Sequence, residues 1–559
     1  MAEIKPIDKI YIVGGGTAGI SVASALKKTF PEKEIVMIKG RSIPSVGVGE
    51  STLAAVNNFL QFFDIQDKDF MKACDASYKQ SIRFEDFYQK GDGGFHYPFG
   101  DPYFDKNIDN NSWYFLKSIK PDLPVKDYAN SMFPHMALIN QGRITDKNSF
   151  PTFDFKRHTA YHFDAVKFAD WMEKNIYLPL GGKVLIEDIV EIKKEEDGSI
   201  KSLVMDTEKE IQADLYIDCT GFKSLLLGET LKEPFESYEH LLPNNSAWAT
   251  KQSYKDKKQE LKGYTNCKAV ENGWIWNIPL WSRMGTGYVY SDKYIDDDKA
   301  LEQFQKHIGQ DDLEFKKIKM RIGIHKKLWV KNVCAVGLSA GFIEPLESNG
   351  LLTIHTFLIN LIPILKKNII GEFAKEHYNW VCRRMFRNFA EFVGMHYYLS
   401  DRIDTEYWRD IQKKKINVEE SMLDETSEIH KAFADKLEKK QWTSIGGFPC
   451  IATGMNWFPT TLEEIMYYNK NSNLDFWKNN FKSIEMNLNK RKQYYKELAK
   501  KEPYLFDFLQ ETNKKAAGGM IESNKLSQQR KAVSKFNKGG IARGCGAVAE
   551  NKRKKTKYS

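Results

Sequence analysis

The sequence lacks any apolar run long enough to cross a membrane. A spanning helix needs about 20 consecutive apolar residues, and no run in this 559-residue chain approaches that length. The opening residues 1–6 also lack the apolar stretch that a secretory signal peptide requires. These absences favour a cytoplasmic protein.

Cysteine is scarce and scattered along the chain. The seven cysteines form no C-x-x-C pair, and no histidines stand at the spacing of a metal site. Secreted disulfide scaffolds and zinc modules both need such patterns. The sequence therefore predicts no bound metal, no disulfide framework and a reducing compartment.

Net charge is nearly absent from most of the chain. The formal charge is +9, but residues 513–559 hold thirteen Lys/Arg and two Asp/Glu, a net of +11, which leaves −2 for residues 1–512. This last segment has no hydrophobic periodicity, which indicates a flexible basic tail that contacts polyanions. Its stretch 539–555 resembles C-terminal segments of some tailed-phage proteins, which implies a viral gene and a host cytoplasm.

A glycine-rich motif stands close to the start of the chain. The apolar run 9–13 predicts a buried strand, a G-x-G-x-x-G pattern follows it at once, and a helical pattern runs on to residue 30. Between a strand and a helix, this motif brings backbone close to a pyrophosphate at the helix N-terminus. The residues predicted to hold the dinucleotide here are Gly14, Gly16, Thr17, Ala18 and Gly19.

The end of the second predicted strand departs from the usual dinucleotide site. Such sites place Asp or Glu there for the ribose hydroxyls, but this chain has Lys39 and Arg41 after the strand 34–38. The ribose contact is therefore left open. Two cations would also suit a 2′-phosphate, although the motifs further along the chain favour FAD.

Two tryptophans stand two residues apart in the stretch 273–280. On a strand, Trp274 and Trp276 face the same way and form a stiff apolar wall. Ile275 and Asn277 face the other way, and Pro279 ends or edges the strand. A tryptophan pair of this kind usually fills a core, but its wider pattern, G-W-x-W-x-I-P-L, is more specific.

Four segments, taken in order, resemble the flavin-dependent halogenases over about residues 5–400. They are the glycine motif with its following G-x-G-E-S-T at 46–52, a lysine before a short strand at Lys79, the tryptophan stretch 273–280, and E-P-L-E-S at 344–348. In that family the tryptophan pair lines a passage between flavin and substrate.

The resemblance assigns roles to particular residues. It implies Lys79, Glu347 and Ser348 as catalytic residues. Asn349 and Gly350 follow as the halide clasp, although Asn349 replaces the small hydroxyl residue that is usual there. The predicted channel residues are Trp274, Trp276 and Pro279. The further predicted cofactor contacts are Lys39, Val48, Gly49, Glu50, Ser51, Val190, Leu338 and Leu351.

The resemblance also implies a reaction. Reduced FAD from a separate flavin reductase, with oxygen and a halide (chloride, bromide or iodide), gives hypohalous acid, which halogenates an electron-rich aromatic substrate through Lys79 and Glu347. A homodimer or other homo-oligomer is expected. Two alternatives stay open: an FAD-dependent aromatic hydroxylase, and a non-enzymatic, flavoprotein-derived virion component.

The expected fold class is α/β. By resemblance, residues 1–400 form an FAD-binding, Rossmann-type domain of the hydroxylase-like kind, with a mixed sheet and an aromatic, loop-rich insertion at about 90–155. Residues 401–512 form a smaller helical subdomain on the substrate side, and 513–559 form the tail. The candidate pocket walls in the helical part are Trp442, Phe448, Trp457 and Phe458.

Overall fold

The structure is a computed structural model that describes most of the chain. The described residues are 6–41, 47, 49–105, 107–108, 110–367, 370–413, 448–458 and 474–514. The predictions for Val48, for Trp442 and for the tail beyond Lys514 therefore lie outside the described residues.

The strands are short, as is usual in α/β proteins. In chain order they are β1 (Lys9–Val13), β2 (Glu34–Lys39), β3 (Glu50–Ser51), β4 (Ser77–Lys79), β5 (Ser81–Glu85), β6 (Phe95–Pro98), β7 (Ala160–Phe163), β8 (Lys183–Ile186), β9 (Ile189–Lys194), β10 (Ile200–Met205), β11 (Glu210–Ile211), β12 (Leu215–Asp218), β13 (Phe235–Ser237), β14 (Ser246–Gln252), β15 (Tyr264–Val270), β16 (Gly273–Pro279), β17 (Met284–Tyr290), β18 (Lys316–Lys319), β19 (Gly323–His325), β20 (Trp329–Val330), β21 (Val333–Ala335) and β22 (Gly341–Phe342).

The helices vary from one turn to seven. They are α1 (Thr17–Thr29), α2 (Val56–Phe62), α3 (Asp67–Phe70), α4 (Asn110–Ile119), α5 (Asp127–Met132), α6 (Met136–Asn140), α7 (Phe155–His158), α8 (Ala165–Met172), α9 (Lys257–Glu260), α10 (Asp297–Ile308), α11 (Gly350–Leu365), α12 (Glu372–Tyr398), α13 (Glu406–Lys413), α14 (Phe448–Gly454), α15 (Leu474–Ala499) and α16 (505–514).

The first sheet carries the glycine motif. Its strand order is β20-β21-β12-β1-β2-β8, and all neighbours are parallel except β20 and β21. Four of the five residues of β1 are buried, since α1 covers the sheet directly after the glycine turn. This order and the following helix confirm the Rossmann-type α/β fold that the sequence predicts.

Two stretches of the first sheet and its surroundings differ from what their local sequence pattern predicts. The pattern of residues 183–192 predicts the start of an antiparallel section, but β8 pairs parallel with β2 in the main sheet, and the antiparallel section begins at β9. The pattern of residues 333–342 predicts a strand, a turn and the start of a helix, but a 3-10 turn (Gly337–Ser339) and β22 follow β21. Short apolar runs do not distinguish these cases, because their pairing partners are distant in sequence.

A second sheet of seven strands carries the tryptophan stretch. Its order is β18-β14-β17-β16-β15-β5-β6, and β16 is central, paired antiparallel on both sides. Trp274 and Trp276 belong to the main core, whereas Ile275 packs in a separate cluster with residues of β17 and α10. The predicted alternation of faces along this strand is confirmed.

A small third sheet lies beside the seven-stranded sheet, where β4 contacts β15. Its order is β3-β7-β4, so the strand 160–163 lies between the segment that ends the second glycine loop and the strand that ends at Lys79. The sequence 160–165 was expected to open a helix, but β7 precedes it. Asp164 caps α8 by accepting hydrogen bonds from the backbone of Val166 and Lys167, as its position suggested.

The region expected to be a loop-rich insertion contains β6 and four short helices, α4 to α7. Helix α15 packs against α4, α5 and α6, and α14 packs against β6.

Among the described residues, no helix combines the length and apolar character needed to cross a membrane. In the same ranges, no three His, Cys, Asp or Glu side chains are grouped to hold a metal ion.

Candidate active site

The first glycine turn leaves room for a phosphate group. Gly14 has a φ of +116°, and a Cβ there would lie 2.2 Å from the carbonyl oxygen of Cys219. A Cβ at Gly19 would lie 1.8 Å from the oxygen of Gly14, so strand and helix pack too closely for a side chain. A Cβ at Gly16 would meet nothing within 4 Å, and Gly16 caps α1 without a side-chain hydrogen bond. These residues fit the pyrophosphate of FAD, since the first N–H groups of α1 lack a capping side chain.

The two cations after β2 each have an anionic partner. Lys39 lies against Gly15, and its Nζ is 2.7 Å from Oε2 of Glu173. The guanidinium of Arg41 pairs with Asp206. Two neutralised cations weaken the argument for a 2′-phosphate, so the geometry agrees with FAD. No sequence motif marks Glu173, which lies more than 130 residues away from its partner.

The other predicted cofactor residues lie at different depths. Gly49 has a φ of +115° and packs against Ile278 of the tryptophan strand. Leu338 is partly exposed in the 3-10 turn after β21, whereas Leu351 is buried in the first turn of α11. Val190 is 63% exposed on β9, the edge strand of the sheet β11-β10-β9. Val190 is the most exposed of these four residues, so burial gives the least support to its predicted contact with the cofactor.

Lys79 is fully buried at the end of β4. Its Nζ donates one hydrogen bond to the carbonyl oxygen of Thr52 and another to Oγ of Ser348, each 2.8 Å long. The ring of Phe99 lies 5.0 Å from the same nitrogen. Burial lowers the pKa of the Lys79 ammonium to about 7, although the carboxylate of Glu347 opposes the shift. A lysine in this state exchanges between amine and ammonium near neutral pH.

The E-P-L-E-S segment is held at both ends. At its start, Oε2 of Glu344 accepts hydrogen bonds from Asn244 (2.8 Å) and from the indole N–H of Trp274 (3.2 Å). Burial raises the pKa of the Glu344 carboxyl to about 7. At its end, Ser348 adopts a left-handed φ of +57° and accepts from Lys79. One short 3-10 turn therefore connects the tryptophan strand to the lysine.

Glu347 lies inside this turn and is completely buried. Its Oε1 is 2.9 Å from Nε2 of His396, at an angle that forms no hydrogen bond, and both of its oxygens lack a hydrogen-bond partner within the described part of the chain. The other ring nitrogen of His396 lies 3.1 Å from the carbonyl oxygen of Val393. A buried carboxyl group without hydrogen bonds is costly, which is typical of a site that receives a ligand.

The predicted halide clasp forms the start of α11. Asn349 is the N-cap residue and Gly350 is the first helical residue. The side-chain oxygen of Asn349 is buried without a partner in the described residues. A Cβ at Gly350 would lie 3.0 Å from Oε1 of Glu50, and burial raises the pKa of that carboxyl to about 7, against the opposing charge of Lys79. An anion at this helix start would therefore face Glu50.

The tryptophan pair forms a continuous wall. The ring centroids of Trp274 and Trp276 are 6.2 Å apart, with the planes inclined by 59°. Trp276 lies over Gly287, where a Cβ would be 2.2 Å from the indole. Its N–H has no partner among the described residues. Pro279 ends the strand, and its carbonyl oxygen accepts from Ser77 of β4.

The structure brings Lys79, Glu347, Ser348 and Ser51 into one buried cluster, with the partly buried Glu50 beside them. Of the predicted cofactor contacts, Lys39 ends β2 in the first sheet, whereas Val190 lies on β9 in a separate three-stranded sheet. Of the candidate pocket walls, Trp457 packs partly buried against the main core, and Phe458 stacks on Tyr114.

Four further residues lie at or near the cluster but were not predicted as site residues: Glu344, Thr265, His162 and His396. No motif marks the last three, because their partners lie in other strands and helices. Glu344 stands inside a recognised motif, and its acidic side chain beside a proline was the available signal.

Comparisons with known proteins agree on one family. The sequence profile described as Tryptophan halogenase matches residues 9–471. The tryptophan 6-halogenase SttH of Streptomyces toxytricini is 32% identical over 433 residues, which covers 73% of this chain and 82% of that protein. The tryptophan 7-halogenase RebH of Lentzea aerocolonigenes is 32% identical, with 72% and 78% covered. The solved apo structure of VirX1 has a TM-score of 0.82 and 35% identity, covering 90% of this chain and 99% of that one.

Proposed function

The chain belongs to the tryptophan halogenase family, and from this premise we propose that Lys79 directs the halogen and that Glu347 offsets the charge that develops on the substrate. The chain is a flavin-dependent halogenase, an enzyme that uses reduced FAD from a separate flavin reductase and a halide to halogenate an aromatic substrate. The hydroxylase and virion alternatives are therefore set aside.

The buried position of the Lys79 amine is the main support for its proposed role. When bound, reduced FAD supplies hypohalous acid from oxygen and halide. Lys79 has its nitrogen fixed by Thr52 and Ser348, so a third position on that nitrogen is available to the halogen species. A positioned donor or amine in a dry site polarises a halogen–oxygen bond far better than one in water.

Glu347 is proposed to act one step later. When an aromatic carbon attacks the halogen, the halogen–oxygen bond breaks and the oxygen leaves as hydroxide or water. The ring becomes a cation and must lose a proton. A buried carboxylate close to Lys79 stabilises that cation, and its oxygens have no competing hydrogen bonds among the described residues. Glu347 therefore serves as the anion, and as the acceptor of the proton.

We further propose that the substrate carries an electron-rich ring of the indole type. The relatives SttH and RebH are named tryptophan halogenases. Aromatic side chains surround the catalytic cluster: Phe99 lies against Lys79, and Phe84 packs 4.6 Å from His396. The test is a screen of L-tryptophan, indole and a phenol against chloride, bromide and iodide, read by mass; absence of any halogenated product on all three would reject an indole-type or phenolic ring.

Halide binding at Gly350 should depend on the ionisation of Glu50. Because the pKa of this partly buried carboxyl is about 7, Glu50 is neutral at lower pH and repels an anion at higher pH. The apparent KM for bromide should therefore rise by up to about tenfold from roughly pH 6 to pH 8, the limit in which ionised Glu50 and bromide exclude each other. In Glu50→Gln it should stay nearly flat.

The matched control for this experiment is Glu347→Gln, which removes a second buried carboxyl group and leaves Glu50 in place. Its bromide KM should keep the native pH dependence. Equilibrium binding of FAD by both variants verifies that the cofactor site is intact. A Glu50→Gln protein with the full native dependence would show that another group faces the halide.

Three properties of the whole protein are also proposed. The six cysteines in the described residues are buried and free, which supports a reducing, cytoplasmic location. Exposed apolar side chains on α11 and α12, among them Ile359, Phe373 and Trp380, support a homo-oligomer, which light scattering of the purified protein tests.

The basic segment 513–559 is proposed to contact polyanions. Retention on a heparin column that does not fall with salt would argue against it.

A further inference from the structure

A continuous series of hydrogen bonds runs inward from Lys79. Ser348, which accepts from Lys79, donates to Oγ of Ser51 at 3.0 Å. Ser51 lies 2.6 Å from Oγ1 of Thr265, which lies 2.9 Å from Nε2 of His162. Nδ1 of His162 lies 3.2 Å from Oγ of Ser77, whose hydroxyl donates to the carbonyl oxygen of Pro279. We call Ser348, Ser51, Thr265, His162 and Ser77 the hydroxyl chain.

The small third sheet builds most of this arrangement. In its register, His162 of β7 lies directly opposite Ser51 on one side and Ser77 on the other. Cross-strand neighbours point to the same face, and so do residues two apart on one strand, so Lys79 shares that face with Ser77. Thr265 approaches from the seven-stranded sheet. All members are buried.

The donor and the acceptor of every hydrogen bond in the hydroxyl chain follow from its end at the carbonyl oxygen of Pro279. The carbonyl of Pro279 can only accept, so Ser77 uses its single proton there and must accept from Nδ1 of His162. Burial and the charge of Lys79 hold the pKa of His162 well below its usual value, so the ring is neutral and Nε2 is an acceptor. Thr265 then donates to His162, Ser51 donates to Thr265, and Ser348 donates to Ser51.

Lys79 is consequently the donor to Ser348, and it also donates to Thr52, whose carbonyl has no proton to give. Neither partner can donate back to the nitrogen. We propose that the hydroxyl chain is a positioning device that keeps one side of the Lys79 nitrogen unoccupied, so that its third hydrogen or its lone pair faces the halogen species. This inference rests on the proposed role of Lys79 and assigns positioning roles to Thr265, His162 and Ser77.

A substitution at Thr265 tests this proposal, because it breaks the hydroxyl chain at a residue that does not itself bond to Lys79. Thr265→Val keeps the shape of the side chain but removes the hydroxyl, so Ser51 loses its acceptor and can turn toward Ser348. Ser348 is then free to donate to the neutral Lys79 amine, which turns the nitrogen lone pair toward Ser348 and away from the open side. Halogenation of indole with bromide, measured as product per oxygen consumed, should fall about tenfold, the effect of one positioned hydrogen bond.

The pH profile separates this role from a merely structural one. A hydrogen bond donated to the neutral amine stabilises that form and lowers the pKa of Lys79. In Thr265→Val, the pH near 7 at which product formation changes should therefore move to a lower value. The other titratable groups that face Lys79 are not altered by this substitution: Glu50, Glu347, Cys267 and His162. Thr265→Ser restores the hydroxyl and should recover both the rate and the position of the profile.

Ser77→Ala supplies a second break at the opposite end. Without this hydroxyl, His162 can take the other tautomer and reverse the series, so the same loss and the same shift are expected. FAD binding and urea unfolding of each variant identify any that fails to fold, and the remaining variant then decides the question. A native pH profile in a folded Thr265→Val or Ser77→Ala overturns the inference alone; a native rate in Lys79→Ala overturns the proposed function beneath it.

Discussion

In Lys79→Ala, product formation should fall by about 10²- to 10⁴-fold while oxygen consumption with reduced FAD continues, since the proposed role of the amine begins after hypohalous acid has formed. The variant loses the buried nitrogen that Thr52 and Ser348 hold in place. The measurement is halogenated product and oxygen uptake in the same reaction, with the reductase present.

Lys268→Ala is the matched control for this variant. Lys268 stands on β15, in the same sheet as the tryptophan stretch, and its partly exposed ammonium pairs with Glu85. Its loss should leave product formation within about twofold, since surface pairs contribute little. A Lys79→Ala protein that halogenates as fast as this control would show that Lys79 is a structural residue.

Glu347→Gln should reduce product formation by about 10- to 100-fold, less than the loss of Lys79. The amide keeps the shape of the side chain but supplies neither the negative charge nor the proton acceptor that the ring cation needs. Oxygen uptake should again continue. Because the effect belongs to the chemical step, it should appear in kcat rather than in the KM of the aromatic substrate.

Glu344→Gln tests whether the position of the carboxyl group matters. Glu344 is also buried, but the structure assigns its Oε2 to Asn244 and Trp274. Glutamine retains an acceptor oxygen for both donors, and the carboxyl it replaces is half neutral near pH 7. Product formation should fall less than in Glu347→Gln. The reverse order would assign the anionic role to Glu344.

The parts of the site that lie on one continuous stretch were predictable. The glycine turn could be read because strand, turn and helix follow each other directly, and the structure shows why a Cβ fits neither Gly14 nor Gly19. The alternation of Trp274 and Trp276 against Ile275 also follows from local geometry, and the core clusters confirm it.

The parts that depend on distant pairing were not predictable. Nothing near His162 in the sequence indicates that its strand lies between β3 and β4. His396 lies in the last turn of α12, and nothing near it in the sequence indicates its approach to Glu347. Lys39 looked like an unpaired cation because Glu173 comes from a different element. Such contacts are decided by packing between elements rather than by local propensity.

The most direct test of directed halogen transfer is the mass and isomer pattern of the product formed from indole by the purified protein with FAD, a flavin reductase, oxygen and bromide. Directed transfer should give a single monobrominated isomer that disappears when bromide is omitted, and that differs from the isomer mixture made by free hypobromous acid. A product that gains one oxygen instead, or an isomer mixture identical to that of the free acid, would contradict it.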